Sequence, residues 1–261
     1  MEGIKELDIE KIKRTRHAYL DDTFNFLYDT YISFYKDNYV ILEDTVYHPK
    51  GGGQPSDTGV MNIYDPRLEQ DIPFNVVDAV KVENEQIVLI LNEPLPELPD
   101  RCLVETFVDK EKRLLNARLH SAGHLLDLAV KESKFSSEWT GNRGYHFPES
   151  PYVEYKMNNQ PFKGDKNELI EDLQNRLDAL IKENKSVIIE HIPHDKAKEK
   201  LNMKELPSYL TVTPTVRIVT YGDVFCPCSG THVKEFGQIG PITIRKVKKK
   251  KNLMRISYKI D

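Results

Sequence analysis

At 261 residues the chain has room for one large domain or two small ones, with a core that needs no disulfide to hold it. Apolar residues make up 39 %, charged residues 30 % and aromatics 9 %, which excludes a disordered chain. Lys plus Arg total 37 against 41 Asp plus Glu, and the net charge of −4 argues against a protein held to nucleic acid by bulk electrostatics; any polyanion partner must be met by a local basic patch.

Residues 1–20 lack the apolar core of a secretory signal, and their acidic side chains do not suit an organellar transit peptide. From Thr23 to Val108 the sequence reads as short β segments: YISFY, YVILEDTVYH, FNVVDAVKV, QIVLIL and CLVETFV, separated by Gly, Pro, Asn and Asp. The longest clean apolar stretch, Ile87 to Leu91, is five residues. A bilayer span needs ~20, so no membrane partner is expected. Asn92 to Arg101 holds three prolines and predicts a stiff loop.

Helical periodicity starts after that loop. Asp109 can cap a helix through KEKRLLNARLHSAGHLLDLAVKE, and Asp165 with Glu168 has the spacing of a capping arrangement before LIEDLQNRLDALIKEN. Tyr152 to Met157, VIIEHI, TVRIVTY, ITIRKV and MRISYKI read as strands, the last two flanking a basic hairpin tip at Lys248 to Asn252. The second half is therefore expected to be α+β, with a largely antiparallel sheet and two long helices. The three cysteines, Cys102, Cys226 and Cys228, form no disulfide framework, so no disulfide partner and a reducing, cytoplasmic location are expected.

Three stretches carry candidate chemistry. His120 and His124 lie four apart on the first predicted helix and project from one face, a spacing that suits chelation of one ion. Leu115, Leu119, Ala122, Leu126 and Ala129 form its apolar stripe, which puts the two histidines on the polar side with Arg113, Asn116, Asp127 and Lys131, as a surface or cleft pair rather than core residues. Cys228 and His232, in CPCSGTHV, are also four apart across a turn. Three His and one Cys suit Zn²⁺ better than Mg²⁺ or Ca²⁺, whereas Cys226 reads better as a small buried thiol than as a ligand. The third stretch, Gly51-Gly52-Gly53-Gln54 between Pro49 and Pro55, is either a tight β-turn or a loop presenting bare amides to a phosphate or ribose. It is not a P-loop, because no Gly-Lys-Ser/Thr follows.

RLHSAGHLL, CSGTHV and GGGQPSDTG, in their own order along the chain, together with GYHFPESPYVEY, resemble the AlaX family of alanyl-tRNA editing proteins, related to the editing domain of alanyl-tRNA synthetase. The resemblance implies a small N-terminal β-barrel carrying the glycine-rich motif over residues 1–108, then a zinc-binding α+β editing domain over 109–261. It implies a free-standing hydrolase, a trans-editing deacylase acting in translation fidelity on tRNA(Ala) mischarged with serine or glycine, with no ATP-dependent charging. The zinc ligands it implies are His120, His124, Cys228 and His232. Two departures stand out: Ser229 follows Cys228 where the family often has Gly, and Gly123 stands before the second His where synthetase editing domains often carry Thr.

Correction of the ester requires water delivered to a carbonyl and charge stabilised on its oxygen. The expected nucleophile is water at the zinc or beside it, with Gln54 and Thr231 as polar candidates and Gly51, Gly52, Gly53 and Gln54 as substrate-binding positions. Lys248, Lys249, Lys250 and Lys251 are the expected tRNA contacts. Four protein ligands normally mark a structural zinc, so the alternative is a noncatalytic tRNA-binding module. A zincin-like protease is excluded by Ser121, which stands where that motif needs its Glu.

Overall fold

The computed structural model describes residues 4, 7, 9–65, 69–82, 85–136, 138–158 and 162–261. Its α+β chain divides into two compact units, Met1–Leu115 and Asn116–Asp261.

In the first unit, β1 (Arg16–His17), β2 (Leu27–Lys36), β3 (Tyr39–Leu42), β4 (Asp44–Thr45), β5 (Gly59–Asp65), β6 (Gln70–Lys81), β7 (Ile87–Leu91) and β8 (Leu103–Val108) follow one another. Six of them close an antiparallel barrel in the order β2-β3-β7-β6-β5-β8, which leaves no open edge, while β1 and β4 pair in parallel beside it. Alternate residues point inward, so Val40, Leu42, Met61, Ile63, Phe74, Val76, Leu89 and Val104 fill the barrel. The glycine-rich stretch is a tight turn. Gly51 and Gln54 exchange backbone hydrogen bonds of 3.1 and 2.9 Å, and Gly52 (φ 57°) and Gly53 (φ 80°) take the left-handed corner positions that side chains disfavour.

The end of that motif is anchored by a buried ion pair. Asp57 accepts from the backbone N–H of His48 and from Arg113, whose Nε lies 3.0 Å from both carboxylate oxygens. Arg113 Nη2 donates to Asp57 again and to the Val46 carbonyl, and Nη1 donates to the Thr23 carbonyl (3.0 Å), so the fully buried charge is paired and hydrogen-bonded.

Arg113 belongs to α1 (Lys110–Glu132), inside which the boundary between the units falls. Asp109 caps it by accepting from Lys112 N–H at 3.0 Å. The second unit continues with β9 (Thr140–Tyr145), β10 (Tyr152–Lys156), α2 (Lys166–Glu183), β11 (Ile188–Pro193), α3 (His194–Lys200), β12 (Thr215–Tyr221), β13 (Val224–Pro227), β14 (Ile242–Lys250) and β15 (Leu253–Ile260). Asp165 caps α2 through Asn167 and Glu168 N–H, and Asn184 ends it in the left-handed conformation. The main sheet is antiparallel, β14-β15-β10-β9, and a second sheet runs β11-β12-β13. The inner face of the main sheet (Val153, Tyr155, Met254, Ile256, Tyr258) shares one core with Leu119, Leu126 and Ala129 of α1 and Leu169, Leu173 and Leu177 of α2.

The strands β1, β5, β9 and β13 and the short α3 lie outside the elements read from the sequence. TGNRGY of β9 has two glycines and an exposed polar run, as an edge strand tolerates, and HDKAKEK of α3 buries only Ala197. The hairpin is present, but its strands run further than expected. Lys248–Lys250 belong to β14, and the turn is only Lys251 (φ 54°) and Asn252.

Candidate metal centre

His120 and His124 project from consecutive turns of α1, and Cys228 and His232 from the turn after β13. The ligand atoms of these four residues lie within 4.8 Å of one another, so the group can hold a metal ion. The imidazoles pack ring against ring, with centroids 5.0 Å apart for His120–His124, 4.6 Å for His120–His232 and 5.1 Å for His124–His232. His120, His124 and His232 are 2 %, 7 % and 1 % exposed.

That burial corrects the expectation of a surface or cleft pair on a polar helix face. Arg113 and Asn116 on the same side of α1 are also buried, while Leu115 of the presumed apolar stripe is exposed. Much of the polar side of α1 is buried with polar company: Arg113 has Asp57, the histidines have one another and Cys228, and half-buried Asp127 accepts from Tyr155 Oη at 2.8 Å, while Lys131 at the end of the helix is exposed.

The surroundings orient the four groups. Ser121, between the two helix histidines, accepts from Val233 N–H at 3.1 Å and so fixes the Cys228–His232 turn against α1. Tyr221 Oη lies 3.2 Å from His232 Nδ1, which leaves Nε2 for a ligand role, and Asp127 stands 3.5 Å from His124 Nδ1. Cys228 Sγ accepts from Gly230 N–H at 3.4 Å and lies 3.5 Å from His120 Nε2, while Arg217 donates to the Cys228 carbonyl at 2.6 Å.

Charge in the group is set by its members. Burial alone would lower His124, but Asp127 and Cys228 outweigh it and hold the imidazole up at about 10. Burial alone would raise the Cys228 thiol, yet bonding to His124 and its charge bring it down. Burial pushes Tyr221 up, so its phenol stays neutral. The group therefore favours the thiolate that a soft cation takes. The fit to an ion also lies in the donor set: three buried imidazoles and one thiol, with ligand atoms within 4.8 Å of one another, are groups that a bound soft cation would satisfy.

Sequence reading missed His146. It follows β9, is 5 % exposed, and stacks on His120 with centroids 4.7 Å apart and planes 20° from parallel. Its Nδ1 lies 2.7 Å from Tyr258 Oη, which donates in turn to the Leu119 carbonyl at 2.8 Å; with the phenol's one proton so used, His146 Nδ1–H is the donor. Burial, then the charge of His124, brings His146 down to about 3. Two glycines make room for the ring, since a Cβ on Gly123 would meet His146 Cε1 at 2.3 Å and one on Gly144 would meet Nε2 at 2.5 Å. The Gly in place of Thr before His124 thus has a physical partner in this chain. The sequence signal was available, a His directly after the glycine-bearing TGNRGY, but nothing in its spacing ties it to His120.

The other candidates are dispersed. Gly51–Gln54 lie in the first unit, with Gln54 fully buried; Thr231 is fully buried in the second. Lys248 and Lys250 are exposed on β14, whereas Lys249 donates to the Phe162 carbonyl at 2.9 Å. Cys226 is half-buried on β13 opposite Val219, outside the four-residue group. The three cysteines are free, and among the described residues no helix is long and apolar enough to cross a membrane.

Comparison with known proteins follows the same outline. Residues 216–257 match the family described as the threonyl and alanyl tRNA synthetase second additional domain. The chain is 29 % identical over 246 residues to alanine–tRNA ligase of Thermoplasma acidophilum, covering 94 % of this chain and 26 % of that protein. It is 25 % identical over 244 residues to the same enzyme of Methanococcoides burtonii, covering 92 % and 25 %. With the alanyl-tRNA editing protein AlaX-L of Pyrococcus horikoshii identity is 31 % over 224 residues, 84 % of this chain and 50 % of that one. The chain thus spans about a quarter of the ligases it matches and half of AlaX-L. Identity that runs through both units, together with the domain match across the Cys228–His232 turn, makes the chain similar to the alanyl-tRNA editing protein AlaX-L and to a part of alanine–tRNA ligases.

Proposed function

We propose that this chain is a zinc-dependent deacylase that hydrolyses the ester of tRNA(Ala) mischarged with serine or glycine. The observation that carries the reading is the convergence of His120, His124, Cys228 and His232, from two separated stretches, to within 4.8 Å in a chain similar to an alanyl-tRNA editing protein. Three nitrogens and one sulfur are the donor set of Zn²⁺. When bound, zinc supplies a cationic centre that polarises a carbonyl and makes water a nucleophile near neutral pH.

The chain's own residues do the rest. Tyr221 and Asp127 hold the rings of His232 and His124, Ser121 ties the two ligand pairs together, and His146 backs the ring of His120. Thr231, between the ligands of the second pair, and Gln54 are the polar groups assigned to substrate contact, with the Gly51–Gly53 turn. We assign residues 1–108 to the β domain and 109–261 to editing, with the chain acting in the cytoplasm without ATP.

Editing answers a limit of binding, because a synthetase pocket distinguishes alanine from a smaller or hydroxylated relative by only about 10²-fold. The test is deacylation of seryl-, glycyl- and alanyl-tRNA(Ala), with and without chelator. The reading expects hydrolysis of the first two, little of the third, and loss of activity with the metal. The four-ligand count favours one other reading, a tRNA-binding module whose zinc is structural; tRNA binding with no hydrolysis of any of the three would establish it.

A further inference from the structure

The outer face of the main sheet carries a feature that the metal centre does not use. Its rows read Lys246–Ser257–Tyr152–Tyr145, Lys248–Arg255–Glu154–Arg143 and Lys250–Leu253–Lys156–Thr140 across the strands. The only carboxylate in these rows, Glu154, is taken up by Arg255 at 3.2 Å and Asn142 at 2.8 Å, so the face is strongly positive in a chain of net charge −4.

Aromatic rings stand among those charges. Tyr145 lies near-parallel between Phe147 (4.5 Å, 14°) and Tyr152 (5.4 Å, 17°), and the Arg255 guanidinium lies 4.0 Å from the Tyr152 centroid. Tyr145 and Phe147 flank His146, whose ring turns the other way onto His120. One short segment therefore presents aromatics outward and backs the metal centre inward.

We propose that this face binds unpaired nucleotides of an RNA, with bases stacking on the Tyr145–Tyr152–Phe147 cluster and phosphates meeting Lys246, Lys248 and Arg143. Side-chain cations alone would serve any polyanion. A run of stacked aromatics among them is the pairing that single-stranded nucleic acid uses, and a duplex keeps its bases inaccessible to such rings. The proposal deepens the editing reading and rests on it only for the identity of the RNA, whose esterified end must be unpaired to reach a buried centre.

The test is fluorescence anisotropy of the full chain with a labelled, uncharged single-stranded RNA of about 12 nucleotides and with a blunt RNA duplex of equal charge. The single strand is expected to bind at least about tenfold more tightly, and Tyr145→Ala with Tyr152→Ala to weaken it at least about fivefold while Tyr→Phe at both positions retains it. Lys246→Glu with Lys248→Glu, at exposed positions that do not threaten folding, is expected to weaken binding and flatten its salt dependence. Equal affinity for strand and duplex, indifference to both pairs of substitutions, or binding to anionic lipid vesicles with none to RNA would overturn the proposal. No ester is involved in this readout. Absence of strand binding in a protein that deacylates overturns the surface alone, whereas strand binding without deacylation supports the surface and overturns the editing reading.

Discussion

His146 fills a space left by two absent side chains, and the consequence reaches the metal centre. A Cβ at Gly123 would stand 2.3 Å from the His146 ring that stacks on His120, so the ring must move or the helix must give. Gly123→Ala and His146→Ala are each expected to destabilise the chain, by about 1–3 kcal/mol for the overpacked variant. The double variant should lose less than the sum, since removing the ring removes the clash. Thermal denaturation of the four proteins measures this coupling, and strict additivity would mean that the ring and the helix do not meet. The four converging residues were legible in the sequence because each pair repeats a four-residue spacing inside a stretch that resembles an AlaX motif. His146, Ser121 and Tyr221 were not, because their roles arise from contacts between distant stretches: Ser121 meets Val233, and Tyr221 meets His232.

Elements were legible where a local rule acts alone. Asp109 and Asp165 announced the starts of α1 and α2, and both side chains accept backbone N–H groups there. Asp165→Ala should cost about 1 kcal/mol of stability, read from urea denaturation. Periodicity misled along the polar side of α1, since hydrophobic patterning does not distinguish solvent from a buried polar network. Arg113 is the sharpest case. Replacing Arg113 with Met leaves the Asp57 carboxylate buried without its partner and is expected to cost about 3–5 kcal/mol, whereas Arg113→Met with Asp57→Leu should recover much of that loss. A single variant as stable as the parent would contradict the pairing as the anchor of the glycine-rich motif. The edge strand β9 escaped notice for a related reason: an edge needs few apolar residues, so TGNRGY carries no strand pattern.

At the scale of the molecule, a mildly acidic chain is compatible with brief contact to a nucleic acid when cations gather on one sheet face, and an editing enzyme must release its corrected product. Gathering three buried histidines and a half-buried cysteine together would make a bound metal part of the folding balance. An ion that binds only the folded chain stabilises it by about 2.7 kcal/mol at a hundredfold excess over Kd. Zinc should therefore raise Tm for the parent and fail to do so for Cys228→Ser, as scanning calorimetry would show. The central claim is that these four residues hold the zinc that the editing reaction requires. It is tested most directly by stripping the protein of metal and titrating Zn²⁺ back while following both bound zinc and hydrolysis of seryl-tRNA(Ala). Hydrolysis that rises with bound zinc and levels off at about one equivalent, with neither in His120→Ala, is the predicted result; hydrolysis at full rate in the stripped protein, or zinc bound without hydrolysis, would contradict it.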